Sequence, residues 1–163
     1  MKLGLALKDV RDAEEQLATR LNVVGERHKA DHDVYHLTGT LQGLHRANLE
    51  ALAPFGERYG TAIDPEDTPE DHGHGLRERV REKGSELLAR RPETGLLLLR
   101  DLRALHLLYA EASIDWVILQ QGAKAVRDAG LVGVASDCHA QTLRGMKWTV
   151  TRIKVAAPQV LSS

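Results

Sequence analysis

The sequence predicts an all-α fold, an antiparallel up-and-down four-helix bundle with one extra short charged helix. Apolar residues recur at alternating spacings of three and four through several long stretches, as on the seams of packed helices. Hydrophobic residues make up 42% of the chain but aromatic residues only 4%, so the core must be built from Leu, Val and Ala, which favours helices over sheets. No stretch alternates with the period of two that marks a strand. With 163 residues, the chain is expected to form a single domain, 1–163, large enough to bury a core.

The first helix is expected over Leu3 to His28. Leu3, Leu7, Val10, Glu14, Leu17, Leu21, Val24 and His28 form an unbroken heptad register. Glu14 stands out, because a carboxylate on an apolar seam is costly unless it is paired, liganded or protonated. Asp31 can accept from exposed backbone amides and so reads as the N-cap of the second helix. The connection is then short, and the first two helices should be antiparallel neighbours. The second seam reads Val34, Leu37, Leu41, Leu44, Asn48, Ala51 and Phe55, with His45 beside it and Gln42 one turn earlier. Pro54 is expected to kink or thin the last turn.

Residues 61–75, TAIDPEDTPEDHGHG, break the composition with two prolines, two glycines, five acidic residues and two histidines. They read as an acidic surface loop. Residues 76–91 follow as a charged accessory helix with six basic and three acidic residues. The longest helix is expected from Glu93 to Ala129, roughly 55 Å at the α-helical rise. Its seam is Leu98, Leu102, Leu105, Tyr109, Ala112, Trp116, Leu119, Ala123 and Val126. Arg100, Asp101, Arg103, Glu111 and Asp115 interrupt its apolar run, so it is not expected to span a membrane. Gly130 and Gly133 mark a turn. The last helix then runs from Ala135 to Ala157, with Ala135, Cys138, Thr142, Gly145 or Met146, Thr149, Ile153 and Ala156 on its seam and Pro158 ending it. Trp116 and Trp148 are expected to meet across the last two helices.

Composition narrows the function classes. A net charge of −1 with pI near 6.7 gives no general pull toward nucleic acid or an anionic membrane. The single Cys138 leaves no internal disulfide and no Cys-rich metal site, and its seam position marks it as a packing residue. The first residues, MKLGLALK, reach charge too soon for a secretory signal, so a cytoplasmic location is expected. There is no phosphate-binding loop, dinucleotide fingerprint or basic face with interleaved aromatics.

Eight histidines raise the question of metal. Counted from a first turn near Ala30, Glu14 and His45 stand about 16 and 15 residues away, so at the α-helical rise they share one height. They read as a buried hydrogen-bonded or ionic pair, with metal ligation as the alternative. Counted from a second turn near Leu131, Glu111 and His139 are offset by roughly 18 Å. Residues 149–152 should then lie level with Glu111. Glu111 and Asp115, one turn apart, are expected to pair with an arginine of another helix. His28, His32 and His36 recur at i, i+4 and i+8 and read as a solvated ladder; His72 and His74 with Asp71 read as a polar loop.

DAEEQL (12–17), YHLTGTLQGLH (35–45) and LYAEASIDW (108–116) resemble the ferritin-like superfamily, particularly its small single-bundle bacterial members. Sites of that type take one Glu from each of two helices and a Glu-x-x-His pair from each of the other two. The resemblance implies Glu14 as first-helix ligand, Gln42 and His45 as the first pair, Glu111 as third-helix ligand, and Ser136 with His139 as the second pair. Gln42 and Ser136 stand where the pattern has Glu, so both bridging carboxylates are missing. The expected function is therefore a ferritin-like bundle without a complete di-iron site, in a non-enzymatic structural or protein-interaction role. It would work as a homo-oligomer (a dimer first of all) or with a protein partner, with no catalytic residue and no cofactor. The alternative is an iron- or manganese-binding bundle with oxidase or storage activity, its metal held by Glu14, His45, Glu111 and Gln42.

Overall fold

The computed structural model describes residues 2–64 and 94–162. Those residues form four helices and no strand: α1 (Leu3–Arg27), α2 (His32–Tyr59), α3 (Thr94–Ala125) and α4 (Ala129–Leu161). The accessory helix expected at 76–91 and most of the 61–75 loop lie outside the described residues.

Asp31 caps α2 as its side chain suggested, accepting from the Val34 amide at 3.2 Å. Gly60 closes α2 with a left-handed φ of 72°, a conformation that favours glycine. The second turn falls earlier than expected. Asp128 accepts from the Leu131 amide at 3.0 Å and starts α4 at Ala129, ahead of both glycines. Gly130 and Gly133 lie inside the helix; a Cβ at Gly130 would come 3.5 Å from the Phe55 ring, an ordinary contact. Nor does Pro158 end α4, which continues to Leu161. The proline gives up the bond its N–H would make to the carbonyl four residues earlier, and only three helical residues follow it.

α1 packs against α2 and α3, and α4 packs against α3 and α2. A Cβ on Gly122 would touch Leu3, while Arg27 reaches Asp101 at the opposite end, so α1 and α3 run in opposite senses. Phe55 lies beside Gly130 and Asp31 bonds Arg152, so α2 and α4 also oppose each other. α2 and α3 therefore run the same way on opposite corners. The order is up, down, down, up, which corrects the strict alternation expected. Residues 60–93 supply enough chain to return along the bundle before α3 begins.

The α1 seam is buried at every expected position, Leu3 through His28. The α3 seam is buried as far as Ala123, and Val126 is exposed. Val34, Leu41 and Asn48 of the expected α2 seam are buried, but at its other positions the stripe lies one residue further on. Thr38, His45, Leu52 and Gly56 face inward, while Leu37 is exposed. Leucine content pointed to the wrong face there, because the buried stripe has polar members held by hydrogen bonds. Leu7, Leu52, Trp116 and Leu131 belong to the core at one end, and Leu21, Val34, Leu102 and Leu105 to the core at the other. Leu17, Tyr109 and Ala112 join them at mid-height. Trp148 packs with the second group and Trp116 with the first, so the two tryptophans belong to separate parts of the core. Among the described residues, no helix is long and apolar enough to cross a membrane.

Candidate functional site

The centre of the bundle holds a polar network built on Glu14, which is fully buried. Its Oε2 accepts from Asn48 Nδ2 at 2.9 Å and bonds His45 Nδ1 at 2.7 Å. Its Oε1 accepts from Trp116 Nε1 at 2.8 Å. His45 Nε2 lies 3.0 Å from the Tyr109 hydroxyl. One proton arrangement satisfies every group: Tyr109 donates to Nε2 of a neutral His45, and Nδ1–H donates to Glu14. Glu14 then accepts three hydrogen bonds from uncharged donors on α2 and α3. Tyr109 is held well above the ordinary tyrosine range, by burial first and then by the charge of Glu14. Its ring fills the space that Gly145 leaves open on α4.

Equal heights across the short first turn brought Glu14 and His45 together, as expected. The other proposed metal ligands stay apart from them. Glu111 is exposed and lines a groove between α1 and α3 with Asp9, Asp12, Gln16 and Asp115. Gln42 is half-buried and makes no hydrogen bond to Glu14 or His45. Among the described residues, no group of three or more His, Cys, Asp or Glu is placed to hold a metal ion.

Glu111 and Asp115 form no ion pair with an arginine among the described residues. The arginine expected near them, Arg152, bonds Asp31 instead. Burial, with the charges of Asp9 and Glu111, pushes the Asp115 carboxyl up. The earlier second turn also cuts most of the axial offset calculated for His139, whose Nε2 meets Ser113 Oγ at 2.8 Å, within a turn of Glu111. Ser136 is exposed. Cys138 is buried, and burial, with the charges of Glu14 and Asp137, pushes its thiol up to about 12, consistent with a packing role.

A second buried carboxylate was missed. Asp101, 2% exposed, was read only as a charge that interrupts the apolar run of α3. Its Oδ1 accepts from Arg20 at 2.8 Å and Arg27 at 3.0 Å; its Oδ2 meets Arg27 and His28 Nε2, each at 2.9 Å. Burial raises its carboxyl pKa, but His28, Arg27 and Arg20 outweigh that and hold it below the ordinary range. His28 is thus an inward partner and not part of a solvated ladder, while His32 and His36 stack on each other at the surface. The seam register already placed His28 on the buried face of α1. Asn48, Tyr109 and Trp116 also occupied seam positions; Asn48 reaches Glu14 across the short first turn, but the bonds of Tyr109 and Trp116 to His45 and Glu14 depend on the height of α3. No family model, curated protein or solved structure matches the chain.

Proposed function

We propose that the chain is a ferritin-like four-helix bundle without a complete di-iron site, acting in a structural or protein-interaction role and not as an enzyme. The observation that carries this reading is the engagement of Glu14 and His45 by their own protein. Both carboxylate oxygens and both ring nitrogens have protein partners within 3.0 Å. A two-metal centre needs carboxylates that bridge two cations and neutralise them. Here one carboxylate meets one histidine, and Glu111 stands on the outer face, so the donor set does not fit such a centre. The ferritin-like part of the reading is supported by the order up, down, down, up and by the long connection between α2 and α3. A cytoplasmic homo-oligomer, or a complex with another protein, fits a bundle whose polar centre is already satisfied.

The second reading is an iron- or manganese-binding bundle with oxidase or storage activity. It draws on the meeting of Glu14 and His45 at mid-height, and it requires both to release their present partners. Elemental analysis of protein purified without chelator or affinity metal decides between the two. Less than about a tenth of an equivalent after incubation with iron or manganese is expected. Stoichiometric metal that disappears in Glu14→Gln would overturn the first reading.

A further inference from the structure

The outer face of α3 carries an apolar stripe distinct from its buried seam. Leu96 is 37% exposed, Leu107 51%, Ile114 61% and Ile118 55%. The face is close to a palindrome about Leu107. Leu96 and Ile118 stand eleven residues to either side, Arg100 and Ile114 seven, Arg103 and Glu111 four, and Ala104 and Ala110 three. Charge is divided along it as well. Among the described residues, Arg100 and Arg103 make no ion pair with an acid, and Asp9, Glu111 and Asp115 make none with a base. Asp9 and Asp115 share the groove with Glu111, so one half of the face is acidic and the other basic.

We propose that this face of α3 binds a second copy of the chain, antiparallel, about a two-fold axis at Leu107. This proposal rests on reading the chain as an interaction bundle. A two-fold contact is self-complementary: each residue meets the partner's equivalent of its opposite number. Leu107 meets the partner's Leu107, Leu96 meets the partner's Ile118, and Arg103 stands opposite the partner's Glu111, twice over. Ala104 and Ala110 keep the helices close on either side of the axis. Arg100 of each copy is carried toward the acidic groove of the other. The stripe is about 33 Å long and one helix wide, so the interface is small and the dimer depends on concentration.

The test is sedimentation velocity on the full chain from about 1 to 200 μM, a range that captures weak dimers. A monomer–dimer equilibrium is expected. Arg103→Glu and Glu111→Arg should each weaken it about tenfold or more, because each turns two attractive pairs into repulsive ones. Combining the two restores opposite charges and should return the dimer to near the wild-type constant. Leu107→Cys should crosslink under mild oxidation, while Ser136→Cys, exposed on α4, should not. These positions are exposed, so unchanged helical circular dichroism is expected throughout. A monomer at every concentration would overturn the proposal. So would a dimer indifferent to both charge reversals and without the Leu107→Cys crosslink, since the stripe would then be covered otherwise. Metal analysis of the same samples separates the two readings: a metal-loaded dimer sinks the non-metal function alone, and a metal-free monomer sinks this interface alone.

Discussion

Glu14 and Asp101 are both buried carboxylates, yet the fold satisfies them by different means. Glu14 lies at mid-height and takes its hydrogen bonds from neutral groups on His45, Asn48 and Trp116. Asp101 lies near the end that carries the α1–α2 turn and takes its bonds from Arg20, Arg27 and His28. The arginines reach it with side chains that are 20% and 29% exposed, so water stays in contact with them. A carboxylate in the dry centre depends on fixed dipoles that lose everything if it goes. One near an end depends on mobile cations that can turn back to solvent.

The comparison would break first at Glu14. Replacing it with Leu leaves three buried donors without an acceptor and should cost about 4 kcal/mol in urea unfolding. Asp101→Asn should cost less, about 2–3 kcal/mol, since Arg20 and Arg27 can hydrate. A larger loss at Asp101 than at Glu14 would reverse the distinction. The two should also differ with salt and pH. Raising salt to about 1 M should shrink the cost of Asp101→Asn and leave that of Glu14→Leu unchanged. Because the folded-state pKa of Asp101 is depressed, its contribution is fully present above the ordinary carboxylate value of 3.8 and is lost as the pH falls through the lower folded value. Wild type and Asp101→Asn should therefore converge in stability in strong acid.

Two smaller changes sharpen the Glu14 side. Gly145→Ala puts a Cβ 2.3 Å from the Tyr109 ring, and the overpacking should cost about 2 kcal/mol in thermal unfolding. Tyr109→Phe removes the hydroxyl that meets His45 Nε2 and should cost about 1 kcal/mol in chemical unfolding. If Tyr109→Phe proved neutral, His45 would have to be held by Glu14 alone.

Much of the fold was legible because helix seams follow from local periodicity. The α1 seam was read correctly down to its two polar members, Glu14 and His28. The α2 seam was right at Val34, Leu41 and Asn48 and one residue off elsewhere, because Leu37 and Leu44 drew the reading outward while Thr38 and His45 were the buried ones. Apolar periodicity sees no difference between a polar residue on the surface and one buried with a partner. Asp101 was missed for the same reason, since its burial depends on Arg20 and Arg27, which come from another helix. The start of α4 was misplaced by reading two glycines as the turn when Asp128, the capping side chain, marked it.

Sequence alone determined the helices, three of their four buried stripes and the meeting of Glu14 with His45. Those follow from a rise of about 1.5 Å per residue and a short turn, which ties the heights of two helices together. Only the tertiary structure decided that α3 runs parallel to α2, that Trp116 and Tyr109 arrive level with Glu14 and His45, and that Asp101 reaches the end of α1. The long connection before α3 leaves its direction and height free, and side-chain packing between the two hairpins selects one arrangement.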